Sequence, residues 1–155
     1  MMFVDTPTFV IELLYPRDAS YAINHRFLET QAGAIRTSIY NVLELCGIAS
    51  YRLTQDKLDK PFYGFEERFQ ARVLYPRVAD DIPSTSFIDD WIAQLYACIA
   101  RRMHFSDALI LEIAESYSLS TFITWNKRHF EDKTTMRVLT PEEYLIEKGL
   151  MGDKR

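Results

Sequence analysis

Asp5, Glu44, Asp107 and Asn126 stand apart from the other polar residues of this chain because of what surrounds them. Asp5 ends the apolar run Met1-Met2-Phe3-Val4, Glu44 is the only charge between Arg36 and Arg52, and Asp107 opens the run Ala108-Leu109-Ile110-Leu111. Asn126 follows Thr121-Phe122-Ile123-Thr124-Trp125. Solvated acids usually come mixed with other charges. Acids at the edges of core segments need a partner, because burying an unpaired carboxylate is costly. A shared hard cation is the simplest partner, since it takes oxygen ligands and removes the repulsion between acids.

The elements that must position these residues alternate in type. Phe3-Val4 reads as a short buried strand, followed by Thr6 as a helix cap with Pro7 at the first helical position. Asp18 caps a helix through Tyr21, Ile23, Phe27 and Leu28, with Gly33 beyond its end. Residues 34–39 read as a second strand, and 40–53 as a helix whose core stripe is Val42, Leu45, Cys46, Ala49 and Leu53. Glu44 lies off that stripe, with Tyr40, Ile48 and Tyr51 at its i−4, i+4 and i+7 positions. Residues 54–84 give weaker signals: a turn-rich aromatic stretch at 61–65, a helical turn or two at 66–71 and a strand at 72–75. Ser86 and Asp89 resemble a capping box. They open a helix with Ile88, Trp91, Ile92, Leu95, Ile99 and Met103 on one face. Ser106 caps the next helix and puts Asp107 in its first turn. Strands at 121–125 and 136–139 follow, and Thr140-Pro141-Glu142-Glu143 starts a final helix. Alternating strands and helices imply a parallel sheet with helices on both faces. Ligand sites in such sheets form at the carboxyl ends of strands near the point where strand order reverses.

Bulk properties bound the function. A chain of 155 residues fits one domain. Hydrophobic residues make up 48%, so a packed core is expected rather than disorder. A net charge of −4 argues against a broad electrostatic platform for nucleic acid. It leaves room for a nuclease that relies on local positive charge and a metal. Cys46 and Cys98 read as small buried hydrophobes rather than a disulfide framework. The first residues lack the basic segment of a signal peptide, and no apolar run approaches the ~18–20 residues of a membrane span. A cytoplasmic location with no membrane partner is the expectation. His25, His104 and His129 lack zinc-site spacing.

Several segments together resemble the PIN-domain family, especially VapC-like toxin ribonucleases of type II toxin–antitoxin pairs. Val4-Asp5-Thr6 looks like the family's opening strand and first acid. The run from Thr37 through Ser38, Ile39, Tyr40 and Asn41 to Glu44-Leu45 is similar to its second strand and helix-borne glutamate. His104-Phe105-Ser106-Asp107-Ala108-Leu109-Ile110 resembles the segment with the third acid, and Thr121 through Phe130 the late strand and fourth polar position. Leu139-Thr140-Pro141-Glu142-Glu143-Tyr144-Leu145 matches the closing segment. These motifs follow the family's order over nearly the whole chain. The chain departs at Asn126, where many members carry aspartate, and segment 54–84 does not align.

The resemblance implies an α/β, three-layer Rossmann-like PIN domain, residues 1–155, with a central mostly parallel sheet flanked by helices. It implies a metal-dependent endoribonuclease using Mg²⁺, with Mn²⁺ as the alternative ion, and leaving 5′-phosphate and 3′-hydroxyl ends. Asp5, Glu44 and Asp107 would hold the metal, and Asn126 would complete the catalytic set by supporting the metal or orienting water. A second tight metal site is not expected, because Asn126 brings no charge. Lys127 and Arg128 are candidate substrate-binding residues for RNA phosphates. The ten Phe and nine Tyr exceed what a core of this size can hide. The partners implied are a second copy, giving a homodimer, and a cognate antitoxin.

Each residue has a bland reading when taken alone. Asp5 and Asn126 can be turn residues, Glu44 a surface acid, and Asp107 an acid favouring the helix dipole. Lys127, Arg128 and His129 can be a solvated loop. Thr6 and Thr124 read first as capping and strand residues, and second as hydrogen-bond donors to the ligands beside them. A receiver-type phosphoryl-transfer domain needs an acidic pair after the first strand, and Asp5 is followed instead by Thr6-Pro7. An Asp-x-Asp phosphatase fails for lack of its second acid. The competing reading outside enzymes is a catalytically weak PIN-fold protein-interaction module.

Overall fold

The computed structural model describes residues 1–77 and 83–151. Five strands form one sheet in the spatial order β3-β2-β1-β4-β5: β1 (Met2–Val4), β2 (Ile35–Ser38), β3 (Ala71–Leu74), β4 (Thr121–Ile123) and β5 (Arg137–Leu139). Every pairing between them is parallel. The chain lays down β1, β2 and β3 outward in one direction, then returns to place β4 and β5 on the other side of β1. Strand order therefore reverses between β1 and β4, and a crevice opens at their carboxyl ends. The first and fourth polar candidates, Asp5 and Asn126, leave the sheet at that point.

Strand alternation divides the core in two. Met2 and Val4 of β1, Ile123 of β4 and Leu139 of β5 join one cluster. Phe3, Phe122 and Val138, the intervening residues, join the other. The first layer comprises α1 (Thr6–Leu14), α2 (Tyr21–Thr30), α3 (Ile39–Ser50), α4 (Gln55–Tyr63), α5 (Phe65–Phe69) and α8 (Pro141–Glu147). Its buried rings include Phe9 in edge-on contact with Phe65 and Phe69, at centroid distances of 4.9 and 5.0 Å. The second layer is α6 (Ser84–Ile99) and α7 (Phe105–Ser116). There Phe122 stacks on Phe3 at 5.1 Å and packs on Phe130 at 4.5 Å. This is the three-layer α/β architecture the motifs imply.

Local starts and stops differ from the sequence expectation in physically informative ways. Asp5, not Thr6, caps α1: its Oδ1 accepts the Thr6 N–H at 2.8 Å, which places Pro7 second in the helix. Asp18 instead accepts the N–H of Ser20, the residue before α2. α3 begins one residue early because Ser38 and Asn41 form a reciprocal capping box. Helix α4 had no sequence signal, since its residues show no long apolar stripe. Asp56 near its start and Lys60 near its end suit the helix dipole, and Gly64 ends it. The expected helical turn and strand after it are α5 and β3. Residues 78–82 of the 54–84 segment lie outside the described residues.

The box expected at Ser86 is absent: α6 starts at Ser84 after Pro83. Its expected stripe is only partly covered, with Leu95 buried and Ile88 and Ile92 at 48% and 52% exposure. Ser106 is not a cap either; His104 precedes α7, although Asp107 does lie in the first turn. Thr140 and Glu143 form the expected box at α8. Both cysteines are free, Cys98 buried and Cys46 partly so. No helix among the described residues is long and apolar enough to cross a membrane.

Candidate active site

Asp5 sits at the centre of the crevice. Its backbone N–H continues the sheet by donating to Ile123 O at 2.9 Å. The side chain is 3% exposed. Oδ1 accepts from the Thr6 N–H at 2.8 Å and from Asn41 Nδ2 at 3.2 Å, and Oδ2 accepts from Thr124 Oγ1 at 2.7 Å. Burial raises the Asp5 carboxyl to about 7, and the negative charges of Glu44 and Asp107 push the same way. The hydrogen bonds from Thr124 and Thr6 pull against that rise without cancelling it.

The residues around Asp5 are placed by the ends of neighbouring elements. The Thr37 hydroxyl donates to Val4 O at 2.9 Å and ties β2 to β1. Ser38 fixes Asn41 in the first turn of α3, and Asn41 Nδ2 bridges Thr6 Oγ1 at 2.9 Å and Asp5. One turn further along α3, Glu44 is half-buried. Thr124 follows β4 and is anchored by its N–H to Leu139 O at 2.9 Å. Its hydroxyl accepts the Asn126 N–H at 2.9 Å while donating to Asp5. The Trp125 indole donates to Asn24 Oδ1 at 2.9 Å, which pins the Asn126 loop to α2.

Asp107, in the first turn of α7, completes the set from the far side. Oδ2 of Asp107 lies 3.1 Å from Nδ1 of His129. A cavity of about 190 Å³ is lined by Asp5, Glu44, Asp107 and Asn126, together with Thr6, Pro7, Val10 and Ile48. The structure thus brings together all four residues singled out as catalytic. Lys127 and Arg128 do not line the cavity. The Lys127 ammonium is 2.9 Å from Glu143 Oε1 on α8, which raises its pKa, while Arg128 is exposed.

Sequence reasoning missed two contributors. Asn41 was legible as the third residue after Ser38 in a capping pattern, but nothing local told that its amide reaches Asp5. His129 carried no signal for its pairing with Asp107. For Thr124 the hydrogen-bond role, read second from sequence, is the one the structure displays.

The donor set suits a hard cation. It is all oxygen, it is acidic, and its most buried member is destabilised by the two other acids. Among the described residues, no group of three or more His, Cys, Asp or Glu converges closely enough to hold an ion directly. An ion bound here would have to take part of its coordination from water or from side-chain adjustment.

No known family's sequence profile matches the chain, and no curated protein matches it. Solved structures do match in fold. One is FitAB bound to an IR36 DNA fragment, with a TM-score of 0.58 and 16% identity over 91% of this chain and 95% of that one. Another is FitAcB from Neisseria gonorrhoeae, with a TM-score of 0.58 and 17% identity over 92% of this chain and 99% of that one.

Proposed function

We propose that this chain, which has the PIN-domain fold found in the FitAB and FitAcB structures, is a metal-dependent endoribonuclease and the toxin of a toxin–antitoxin pair. The observation that carries the reading is the convergence of Asp5, Glu44, Asp107 and Asn126 on one cavity at the strand-order reversal. Asp5, Glu44 and Asp107 would hold Mg²⁺ or Mn²⁺, in part through water, and the cation would supply charge stabilisation at the scissile phosphate and a more acidic water. Thr124 and Asn41 hold the Asp5 carboxylate in place, and His129 orients Asp107. Asn126 hydrogen-bonds the attacking water or a phosphate oxygen through its amide. Asp5 serves only when ionised, so its raised pKa couples cation binding to loss of the Asp5 proton.

FitAB and FitAcB are assemblies of the toxin FitB with the antitoxin FitA, which supports a cognate antitoxin as partner here. The DNA in the FitAB structure belongs to that complex. A homodimer is the second partner reading, favoured by apolar side chains left uncovered on α6, Ile88, Ile92 and Tyr96.

The test is to incubate purified protein with a mixed pool of structured RNAs and map the ends produced. The reading expects cutting that requires a divalent cation and leaves 5′-phosphate and 3′-hydroxyl ends. Cyclic phosphate ends, or cutting indifferent to chelator, would contradict it. Co-expression with the product of an adjacent small reading frame should suppress the activity.

A further inference from the structure

Asn24 lies in the first half of α2 and is fully buried. A buried amide is costly unless its hydrogen bonds are made, and Asn24 uses both ends of its amide. Its Nδ2 donates to Thr8 O at 2.9 Å and, more weakly, to Glu12 Oε2 at 3.5 Å, both on α1. Its Oδ1 accepts the Trp125 indole N–H at 2.9 Å. Helix α1 is the one capped by Asp5, and Trp125 immediately precedes Asn126. Asn126 is exposed and donates its own backbone N–H to Thr124, so the Trp125 anchor is the second hold on its loop.

A titratable pair stands behind Asn24. The Glu12 side chain is 15% exposed; its Oε1 lies 2.8 Å from His25 Nδ1 while Oε2 faces Asn24. On the other side of the imidazole, Nε2 lies 3.3 Å from Glu29, and the Tyr21 ring stacks on it at 5.6 Å. The hydrogen bond with Glu12 raises the His25 pKa above the ordinary 6.5. A hollow of about 370 Å³ opens beside the pair and is also lined by Arg68 of α5 and by uncharged Gln70. The charged and titratable groups around His25 are therefore Glu12 from α1, Tyr21 and Glu29 from its own helix, and Arg68.

We propose that Asn24 is a positioning residue for the acid cavity, setting the Asn126 loop against α1, and that protonation of His25 tightens this hold through Glu12. Protonated His25 grips Glu12 Oε1 with a charge-assisted hydrogen bond and leaves Oε2 turned to Asn24. As pH rises and the imidazole loses its charge, that grip weakens, and Arg68 across the hollow competes for the Glu12 carboxylate. Asn24 then loses one of its two acceptors, and its hold on Trp125 loosens, since bonds in a buried network support one another. The ordering contact is thus present below the His25 pKa and lost above it. The inference rests on the ribonuclease reading only for its effect on turnover.

The experiment follows the Trp125 indole N–H peak by proton–nitrogen NMR of the full chain, in chelator, from about pH 5 to 9. Trp125→Phe lacks the peak and so assigns it against that of Trp91, the other tryptophan. The peak should move with a midpoint above 6.5. The movement should disappear in His25→Gln and in Glu12→Gln and persist in Asp5→Asn, which separates it from titration at the cavity. With Mn²⁺ and RNA, Asn24→Ala and Trp125→Phe should each lower kcat about fivefold at nearly unchanged KM, the scale of one hydrogen bond. The double variant should lose no more than either, because both remove the same contact. His25→Gln should erase the matching step from the kcat–pH profile. A Trp125 peak that stays still, or that moves as before in His25→Gln, would overturn the proposal, and so would losses that multiply in the double variant. If wild type cuts no RNA with any cation, the ribonuclease reading fails, and the Trp125 titration alone decides whether His25 controls this loop.

Discussion

The Thr124 hydroxyl donates a 2.7 Å hydrogen bond to Oδ2 of Asp5, joining residues 119 positions apart in sequence. The same oxygen accepts the Asn126 N–H at 2.9 Å. One hydroxyl on the residue after β4 therefore sets the first acid and the fourth polar residue at once. Thr124→Val keeps the shape but leaves Asp5 short of a donor and the Asn126 N–H without its acceptor. It should cost about 1–3 kcal/mol in a urea titration. Loss of a bond that favours the ionised carboxylate should also shift the acid limb of the pH–activity profile to higher pH. Thr124→Ser should restore most of both.

Asp5 itself should destabilise the protein at neutral pH in cation-free buffer. Its folded pKa of about 7 lies above the ordinary 3.8. Between those values the folded state binds more protons than the unfolded one, so stability falls as pH rises from about 4 to 7 and then levels. Asp5→Asn removes that loss. The variant should be more stable than wild type at pH 8, by about 2–4 kcal/mol at most, with the advantage shrinking towards pH 4. Thermal melts across that range check the slope. Added Mn²⁺ should raise the wild-type Tm and leave the variant unmoved.

Lys127 and Arg128 should behave differently although they are adjacent. The Lys127 ammonium is held by Glu143, which also completes the capping box of α8. Lys127→Gln should change stability by less than about 1 kcal/mol, as partly exposed ion pairs do, and leave the salt dependence of RNA binding intact. Arg128→Gln should lower that salt slope by about one if the exposed guanidinium meets a phosphate.

Glu112 offers a control remote from the cavity lining. It is 8% exposed, and the Trp91 indole N–H faces it and pulls its pKa down, short of offsetting burial. Burial raises its pKa. Because the folded pKa is raised, folded stability falls as pH rises above the ordinary carboxylate range, so Glu112→Gln should stabilise the protein at pH 7 relative to wild type, with the advantage shrinking as pH falls. Its RNA cleavage should match wild type.

Much of this arrangement was legible because it is written in local patterns. Short apolar runs gave the strands, Thr140-Pro141-Glu142-Glu143 gave the last helix, and isolated acids at run edges gave the cavity. The unread parts depend on pairings distant in sequence. Asp5 rather than Thr6 caps α1 in a structure where Thr124 after β4 and Asn41 of α3 also hold the Asp5 carboxylate, contacts no local pattern announces. The α6 stripe read as buried because spacing cannot tell how much of a helix its neighbour covers; α7 covers Leu95 and Cys98 but leaves Ile92 half exposed. Helix α4 escaped notice because capping charges, not an apolar stripe, define it. The Asp107–His129 pair joins two segments that only tertiary packing brings together.

The most direct measurement compares RNA cleavage by wild type, Asp5→Asn and Asp107→Asn, each with Mg²⁺, with Mn²⁺ and with chelator, after circular dichroism has shown all three folded. The account predicts cutting by wild type only, and only with a divalent cation. Equal cutting by folded Asp5→Asn, or wild-type cutting that persists in chelator, would contradict a carboxylate-held metal as the centre of this protein's chemistry.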